Sequence, residues 1–256
     1  MTYQTVILNK DNKIATIILN RPEVQNALNK QMQDELVMIL NDLKHDNDTR
    51  VIIITGAGEK AFTAGRDLKE YSAAKATPLQ VWEGMAGQAA TLILSQMTKP
   101  VIAAINGYAI GGGLELALAC DIRIASEKAT FGFYEIRRGF FPGGGATWRL
   151  SPLVGKGWAM EMILSGEPVD AQTAEKIGLV NRVVPHTELT TSTRKLAETI
   201  ASRSPAALML AKQAINQAWS SFEASGSSIG VALRALAETN EERAESTRAF
   251  VEKKDK

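Results

Sequence analysis

The sequence predicts an α/β fold followed by a region made only of helices. Two runs of β-branched and small apolar residues, 51–55 (VIIIT) and 101–105 (VIAAI), have the composition of strands buried on both faces of a sheet. Apolar residues near these runs recur at the helical period, and beyond Pro185 every pattern is helical. Strands alternating with helices indicate an α/β core, and a helix-only tail indicates a separate packing or oligomer-forming element. We therefore divide the chain into a core, residues 1–185, that holds the candidate site, and a C-terminal helical oligomerisation region, residues 186–256.

Hydrophobic periodicity and the positions of glycine and proline define the remaining elements. Up to residue 96, they predict a hairpin over 5–8 and 14–19, a helix with apolar positions Met32, Leu36, Ile39, Leu40 and Leu43, the strand 51–55 and a helix over about 79–96. After the strand 101–105, they predict a short helix over 114–119, a strand at 122–124, a loop at 139–145, short helices up to residue 174, a strand at 179–184 and helices over 186–201, 206–218 and 229–251.

Composition and charge exclude several classes of protein. The formal net charge is +1 and the charges are scattered, which argues against binding to nucleic acid or to an anionic membrane surface. No apolar stretch approaches the roughly 18 residues needed to cross a bilayer, and the first residues lack the pattern of a secretory signal. The single cysteine, Cys120, is typical of a reducing compartment. We therefore expect a cytoplasmic protein with no nucleic-acid and no membrane partner.

Three constellations match known motifs but fail in their context. Residues 56–61 fit the dinucleotide-binding pattern G-x-G-x-x-A, but the residues after them do not begin a helix, which that motif requires. Residues 226–230 fit the nucleophile pattern G-x-S-x-G, but no histidine follows them in the chain. The two histidines, His45 and His186, have no second ligand at the spacing of a metal site. We expect neither a nicotinamide cofactor nor a metal.

Two carboxylates stand out because their neighbours in the sequence are apolar. Glu115 lies in the segment GLELALAC, and Glu135 follows Phe133 and Tyr134. A buried carboxylate is costly unless it is paired, protonated or used in chemistry. One interpretation is a buried ion pair with Arg123, Arg137 or Arg138, and the other is general acid–base catalysis. The surroundings alone favour neither.

Two glycine-rich segments favour catalysis. Gly111, Gly112 and Gly113 stand at a predicted helix start, where backbone N–H groups can face a developing negative oxygen. Residues 64–67 (AGRD) form a second loop, after a buried strand, that can present another amide. Two amides aimed at one oxygen form an oxyanion hole, which is often the largest single contribution to catalysis. The alternative is that these glycines serve only tight turns.

These residues carry a resemblance to a known family. Residues 61–70 (AFTAGRDLKE) resemble the first oxyanion loop of the crotonase superfamily, the enoyl-CoA hydratases and isomerases, and residues 99–115 (KPVIAAINGYAIGGGLE) resemble its most specific signature. Further similarity runs from 19–22 (LNRP) through 141–145 (FPGGG) to 249–253 (AFVEK). The resemblance therefore spans nearly the whole chain, and the ordered set is more specific than any one of its motifs.

The resemblance implies a role for individual residues. The amides of Arg66 and Gly112 would bind the thioester carbonyl, Glu115 and Glu135 would be the two catalytic glutamates, and Gly143 would line the site. Contacts to the coenzyme A portion would come from Val24, Ala64, Gly65, Asp67, Leu68 and Lys69, and, offered to a neighbouring subunit, from Phe250 and Lys253. Arg66 departs from the family pattern, because a small residue is usual there, and its long cation could change substrate choice or meet a CoA phosphate.

The same resemblance implies the architecture and the reaction. It implies a spiral of repeated β-β-α units with a C-terminal helical trimerisation region, assembled as a homotrimer or a dimer of trimers. The expected substrate is an acyl-CoA thioester, and no cofactor is needed because coenzyme A is part of the substrate. Both glutamates are present, which favours a hydratase over an isomerase, and a dehydratase acting on an unusual acyl group is the related alternative. A binding-only, RNA-associated role is disfavoured by the balanced charge.

Overall fold

The computed structural model describes residues 3–73 and 89–219, together with the single positions 233, 245, 248, 249 and 252. The strands are β1 (Val6–Asp11), β2 (Ile14–Leu19), β3 (Val51–Gly56), β4 (Ala61–Thr63), β5 (Val101–Ile105), β6 (Tyr108–Ile110), β7 (Ile122–Ser126), β8 (Thr130–Gly132), β9 (Val169–Asp170) and β10 (Arg182–Val184). The helices are α1 (Lys30–His45), α2 (Leu68–Ala73), α3 (Ala89–Ser95), α4 (Gly112–Leu118), α5 (Ala146–Ser165), α6 (Ala171–Lys176) and α7 (Leu189–Ala201), with residues 205–219 also helical. Short 3-10 helices form at Pro22–Val24, Ile136–Arg138 and His186–Glu188.

The strands form two sheets, and the chain passes from one to the other in each repeat. The six-stranded sheet has the order β1-β2-β3-β5-β7-β10, and the four-stranded sheet has the order β4-β6-β8-β9. In the pairs β3–β4, β5–β6 and β7–β8, the first strand joins the larger sheet and the second joins the smaller one, and helical structure follows each pair. Within the spiral the neighbouring strands are parallel, as in β3–β5, β5–β7, β4–β6 and β6–β8. The predicted α/β spiral of β-β-α units is confirmed.

The N-terminal hairpin forms at the predicted place. Strands β1 and β2 pair antiparallel from Val6 with Leu19 to Asp11 with Ile14, which leaves a two-residue loop. Both loop residues, Asn12 and Lys13, have positive φ angles, the conformation that a type I′ hairpin turn requires.

The larger sheet is covered on both faces. On one face, Ile52, Ile54 and Ala103 pack with the apolar side of α1, which includes Leu36 and Leu40. On the other face, α7 contributes Leu189, Ala197 and Ala201 to a second cluster with Ile14, Val51, Ile53, Ile102, Ala104 and Ile124. Helix α7 lies beyond the proposed boundary at residue 185 and still packs on the core sheet, so the two-part division of the chain stays a prediction.

A buried asparagine fixes the turns that lead into the second sheet. The Asn106 side chain, after β5, donates to the carbonyl oxygens of Gly56, Gly58 and Ala61, at 3.1, 2.8 and 3.1 Å, and accepts from the amide of Gly56 at 3.2 Å. These bonds join the β3–β4 turn to the β5–β6 turn. They therefore hold in place the two segments from which the glycine-rich loops emerge.

Several elements differ from the sequence prediction. The second sheet was not predicted, because strands of two or three residues are too short to show a period. The predicted short helices after residue 145 form the 20-residue helix α5, broken at Gly155, and the separate helix α6. The predicted strand at 179–184 is reduced to β10, and helix α2 was not predicted. Most of the predicted helix at 79–96 and of that at 229–251 lies outside the described residues.

Candidate active site

The first glycine-rich loop begins where β4 ends at Thr63. Gly65 has a φ of +84°, and the next residues run beside Leu28: the Leu28 amide donates to the Gly65 carbonyl at 2.7 Å, and the Asp67 amide donates to the Leu28 carbonyl at 3.1 Å. Successive N–H groups of an extended chain point to opposite sides. The amide of Arg66, which lies between these two bonds, therefore points away from Leu28.

The second loop places the amide of Gly112 beside that of Arg66. Gly112 is the first residue of α4, where backbone N–H groups have no partner within the helix. A Cβ atom added to Gly112 would lie 3.8 Å from the backbone nitrogen of Arg66, so the two loops are close. A Cβ atom added to Gly65 would lie 3.1 Å from the backbone nitrogen of Gly112 and would collide with the carbonyl oxygen of Ile110, at 2.6 Å. Position 65 must be glycine for this approach. The two loops thus bring two amides to the wall of one cavity, which is the arrangement of an oxyanion hole.

This cavity has a volume of about 600 Å³ and contains the site predicted from the sequence. Its lining includes Arg66 and Gly112, both glutamates, and the following predicted substrate contacts: Val24, Ala64, Gly65, Asp67, Leu68, Lys69 and Gly143. The two other predicted contacts, Phe250 and Lys253, lie outside the described residues. The structure therefore brings together every predicted site residue that it describes.

Glu115 is held by the start of another helix. It is one turn into α4 and only 6% exposed, and its Oε1 accepts hydrogen bonds from the amide of Gly144 and, at 3.3 Å, from the amide of Ala146, the first residue of α5. Burial raises the pKa of Glu115, and the positive charge of Arg66, these two amides and the charge of Arg149 oppose that rise. A carboxylate with two amide donors and nearby cations is stabilised in its ionised form.

Glu135 has a different environment. It is 9% exposed and precedes the 3-10 helix Ile136–Arg138, and its Oε2 is buried without a hydrogen-bond partner. Its other oxygen approaches Gly111, where an added Cβ atom would lie 2.5 Å from Oε1. Burial, followed by the negative charge of Glu115, raises the pKa of Glu135 to about 8. The carboxyl group is therefore protonated at neutral pH and can donate a proton into the cavity.

The contacts of the arginines bear on the two interpretations of these glutamates. Arg123 donates to the carbonyl oxygens of Leu179 and Cys120, and Arg137 pairs with Glu167 at 2.7 Å. No salt bridge found among the described residues includes Glu115 or Glu135. Arg138, the third candidate partner, acts on the pKa of Glu135 through its charge. Within the described residues, the absence of a salt bridge to either buried glutamate favours a role in chemistry over a structural one.

The segment predicted to contact coenzyme A has its own support. The Asp67 side chain accepts from the Arg21 guanidinium at 2.9 Å and from the Lys69 amide at 3.2 Å. Asp67 thus caps the start of α2 and ties it to the loop before α1, where Arg21 also donates to the Ala27 carbonyl at 2.7 Å. The side chain of Asp67 is engaged within the protein, and this leaves the backbone of the segment and Lys69 to line the cavity.

Several residues of the site were not predicted. The amides of Gly144 and Ala146 hold Glu115, and the cavity wall also includes Tyr134, Arg138 and Phe140. Three glycines before a helix, at 143–145, repeat the pattern that identified Gly112, and this pattern could have revealed the second set of amide donors. The side chains that complete the wall carry no comparable signal.

The structure bears on two of the motifs rejected from the sequence, whereas residues 226–230 lie outside the described residues. Residues 56–61 lead into strand β4 and not into a helix, so they lack the context of a dinucleotide-binding loop. His186 lies beside the Ser126 hydroxyl, with 2.9 Å between Nδ1 and Oγ. In the part of the chain that the structure describes, no group of three potential ligands is arranged for a metal ion, and no helix has the length and apolarity needed to cross a membrane.

Known proteins share this sequence and this fold. The sequence model of the family described as Enoyl-CoA hydratase/isomerase matches residues 9–256. A short-chain-enoyl-CoA hydratase of Clostridium acetobutylicum is 42% identical over 85% of this chain and 83% of its own. A crotonyl-CoA hydratase of Syntrophomonas wolfei is 38% identical over 99% of this chain and 97% of its own. The crystal structure of an enoyl-CoA hydratase from Bacillus anthracis is 39% identical, covers 98% of this chain and 97% of its own, and aligns with a TM-score of 0.80. The chain therefore belongs to the enoyl-CoA hydratase/isomerase family of the crotonase superfamily.

Proposed function

We propose that this enzyme adds water across the 2,3 double bond of a trans-2-enoyl-CoA thioester. The observation that carries the proposal is one cavity in which two backbone amides, of Arg66 and Gly112, stand with two buried glutamates: Glu115 accepts two amide hydrogen bonds, and Glu135 has an oxygen without a partner. The names of the relatives favour short acyl groups, so crotonyl-CoA is the first substrate to test.

Each group has a defined task in this reaction. The two amides stabilise the negative charge that develops on the thioester oxygen when water attacks C3. Glu115, whose carboxylate form its amide donors and neighbouring cations favour, accepts a proton from the attacking water. Glu135, protonated at neutral pH, donates a proton to C2. Water thus supplies the hydroxyl group at C3, and transfer of the proton that Glu115 has gained to Glu135, directly or through solvent, returns the pair to its starting state.

Coenzyme A would be bound as part of the substrate, and we propose that no separate cofactor takes part. Lys69 and Arg138 line the cavity and add positive charge near its wall. Cations of this kind suit the phosphate groups of coenzyme A. The Arg66 side chain adds a further positive charge beside both glutamates.

We also propose that the chain assembles as a trimer or a dimer of trimers. In the described part of the C-terminal region, large apolar side chains are exposed on a single chain: Leu210 (60%), Ile215 (61%), Trp219 (42%) and Leu233 (51%). Apolar residues of this size on one region are typical of a surface that another subunit covers. A cytoplasmic location stays a prediction that rests on the single cysteine.

Substitution of the two glutamates tests the proposed reaction. Glu115→Gln and Glu135→Gln should each lower hydration of crotonyl-CoA by roughly 100-fold to 10,000-fold, the usual range for general acid–base groups. Because both act in the addition of one water molecule, the double variant should lose much less than the product of the two single losses. The measurement is the loss of absorbance of the conjugated thioester, with Glu161→Gln, at an exposed position of α5, as the control.

Two other outcomes would change the assignment. If Glu115→Gln keeps the conversion of 3-enoyl-CoA to 2-enoyl-CoA while Glu135→Gln loses it, the enzyme is better described as an isomerase. If either single variant melts at the wild-type temperature and hydrates enoyl-CoA esters at the wild-type rate, the mechanism with two glutamates is wrong.

A further inference from the structure

The loop that holds Glu115 is itself held by an arginine. Arg149 lies in the first turns of α5, and its Nη1 donates back to the carbonyl of Gly144 at 3.2 Å, while its backbone amide donates to the carbonyl of Gly145 at 2.8 Å. The guanidinium group lies so close to Gly145 that a Cβ atom there would collide with it. The same group lies 5.6 Å from the centroid of the buried Trp148 ring, a cation–π distance that fixes its orientation.

These contacts connect Arg149 to the catalytic carboxylate in two steps. The guanidinium binds the carbonyl side of Gly144, and the amide side of the same residue binds Glu115. Gly144 packs so closely on Glu115 that any added Cβ atom would collide with the carboxylate. A shift of the loop at 143–145 therefore moves both the amide that donates to Glu115 and the backbone that packs against the Glu115 carboxylate.

The charges around Glu115 come from three elements. Arg66 approaches from the loop after β4, Arg149 from α5, and Glu135 from the segment after β8, with Arg138 beyond it. The charge of Arg149 lowers the pKa of Glu115 against the rise caused by burial. Arg149 thus acts on this carboxylate through the loop and also through its charge.

We propose that Arg149 is a positioning residue for the reaction: its guanidinium clamps the loop at 143–145 so that the amides of Gly144 and Ala146 hold the carboxylate of Glu115 in place as the base. The proposal rests on the proposed function, because it assigns Arg149 to the same proton transfer. Arg149 is not among the residues that line the cavity. It is therefore expected to affect turnover far more than binding.

Arg149→Met and Arg149→Lys test the clamp. In Arg149→Met, kcat for crotonyl-CoA should fall by roughly 10-fold to 100-fold, the loss expected when a catalytic group is displaced by about 1 Å. KM should change by less than about threefold, because the predicted coenzyme A contacts come from the loops that carry Val24 and Lys69. The acidic limb of the pH profile of kcat should move to higher pH, because the variant lacks a charge that lowers the pKa of Glu115.

Arg149→Lys keeps the positive charge but not the planar guanidinium group. The acidic limb of its pH profile of kcat should therefore stay close to that of the wild type, while kcat itself still falls. Lys156→Met, which removes an exposed cation from the same helix, is the matched control and should leave both quantities unchanged. Hydrogen exchange of the peptide covering residues 143–148 gives a readout that does not depend on turnover, and it should be faster in Arg149→Met than in the control.

Two results would overturn the proposal. One is an Arg149→Met variant whose kcat, pH profile and hydrogen exchange all match the wild type. The other is a fall in kcat with no shift of the acidic limb and a fall in melting temperature of both arginine variants, which would make the role of Arg149 structural. A wild-type enzyme that hydrates no enoyl-CoA ester would instead contradict the proposed function, and hydrogen exchange would still report on the clamp.

Discussion

Glu115 and Glu135 have different environments because the backbone donates hydrogen bonds to them unequally. Glu115 receives two amide hydrogen bonds, whereas one oxygen of Glu135 is buried without a partner. An ionised carboxylate needs donors to replace the water that it loses on burial, and a protonated one needs fewer. We therefore propose that the distribution of donors decides which glutamate accepts a proton and which donates one, and we expect the two to titrate as a coupled pair.

The environment of Glu135 has a consequence for stability. Its pKa is raised from an ordinary 4.5 to about 8, so the folded protein binds more protons than the unfolded chain between these values. This contribution to stability is complete below the unfolded pKa and is lost as the pH rises through the folded pKa. Glutamine stays neutral. The melting temperature of Glu135→Gln, relative to wild type, should therefore rise between about pH 5 and about pH 8.

Thermal melts at several pH values would measure this difference, with the exposed Glu161→Gln variant as the control. A difference in melting temperature between Glu135→Gln and wild type that does not change with pH would show that Glu135 does not titrate in this range in the folded enzyme.

Sequence reasoning identified the reacting residues but not the groups that support them. Glu115 and Glu135 could be found because a carboxylate among apolar neighbours is conspicuous in the sequence itself. The donors of Glu115 lie 29 and 31 residues further along the chain, and no local pattern predicts that the two segments meet. The role of Arg149 depends on the same long-range contact.

At the scale of secondary structure, the starts of two helices perform different tasks in one site. The first amide of α4, at Gly112, faces the cavity beside the amide of Arg66, whereas the first amide of α5, at Ala146, binds a side chain of the protein. Both use N–H groups that a helix cannot satisfy internally. We propose that one helix start binds the substrate oxygen and that the other positions the base.

Proline at position 112 tests the first of these tasks. Proline is well tolerated as the first residue of a helix, so Gly112→Pro should remove the N–H group and leave α4 folded. Loss of one oxyanion donor should lower kcat for crotonyl-CoA by roughly 100-fold to 1000-fold. Gly112→Ala is the matched control, because the added Cβ atom would meet its nearest neighbour at 3.7 Å, an ordinary contact, and the N–H group is kept.

The comparison depends on the ratio of kcat for Gly112→Pro to kcat for Gly112→Ala. Equal turnover by Gly112→Pro and Gly112→Ala, with circular dichroism showing that both are folded, would remove the Gly112 amide from the mechanism.

The elements that the sequence predicted well are the long ones. Helix α1 and strands β3 and β5 have several apolar residues in phase with one period, and each was found at its predicted place. Strands β4, β6 and β8 have only three residues each, and their identity comes from pairing with one another across the spiral. The second sheet, which carries both glycine-rich loops, is therefore a product of tertiary structure.

At the scale of the whole molecule, the exposed apolar residues of the C-terminal region predict assembly. Sedimentation equilibrium should give a mass of about three or six times the 27.7 kDa of one chain. The double variant Leu210→Glu, Ile215→Glu places charges on two side chains that are 60% and 61% exposed in a single chain, and it should dissociate the assembly without unfolding the core.

Lys176→Glu, an exposed charge reversal on α6, controls for the change in net charge. A wild-type protein that sediments as one chain at working concentrations would contradict the predicted assembly and would also remove the basis for a contribution of Phe250 and Lys253 to a neighbouring site.

The winding of the chain also sets a limit on how early the enzyme can become active during refolding. The Arg66 amide follows the first strand pair of the spiral, Gly112 and Glu115 follow the second, and Glu135 follows the third. Each turn is joined to the last by parallel strands that close a long loop, a slow step in folding. Helical signal and compaction can return before these closures are complete. Turnover requires all three turns, so it should be the last property that a refolding chain regains.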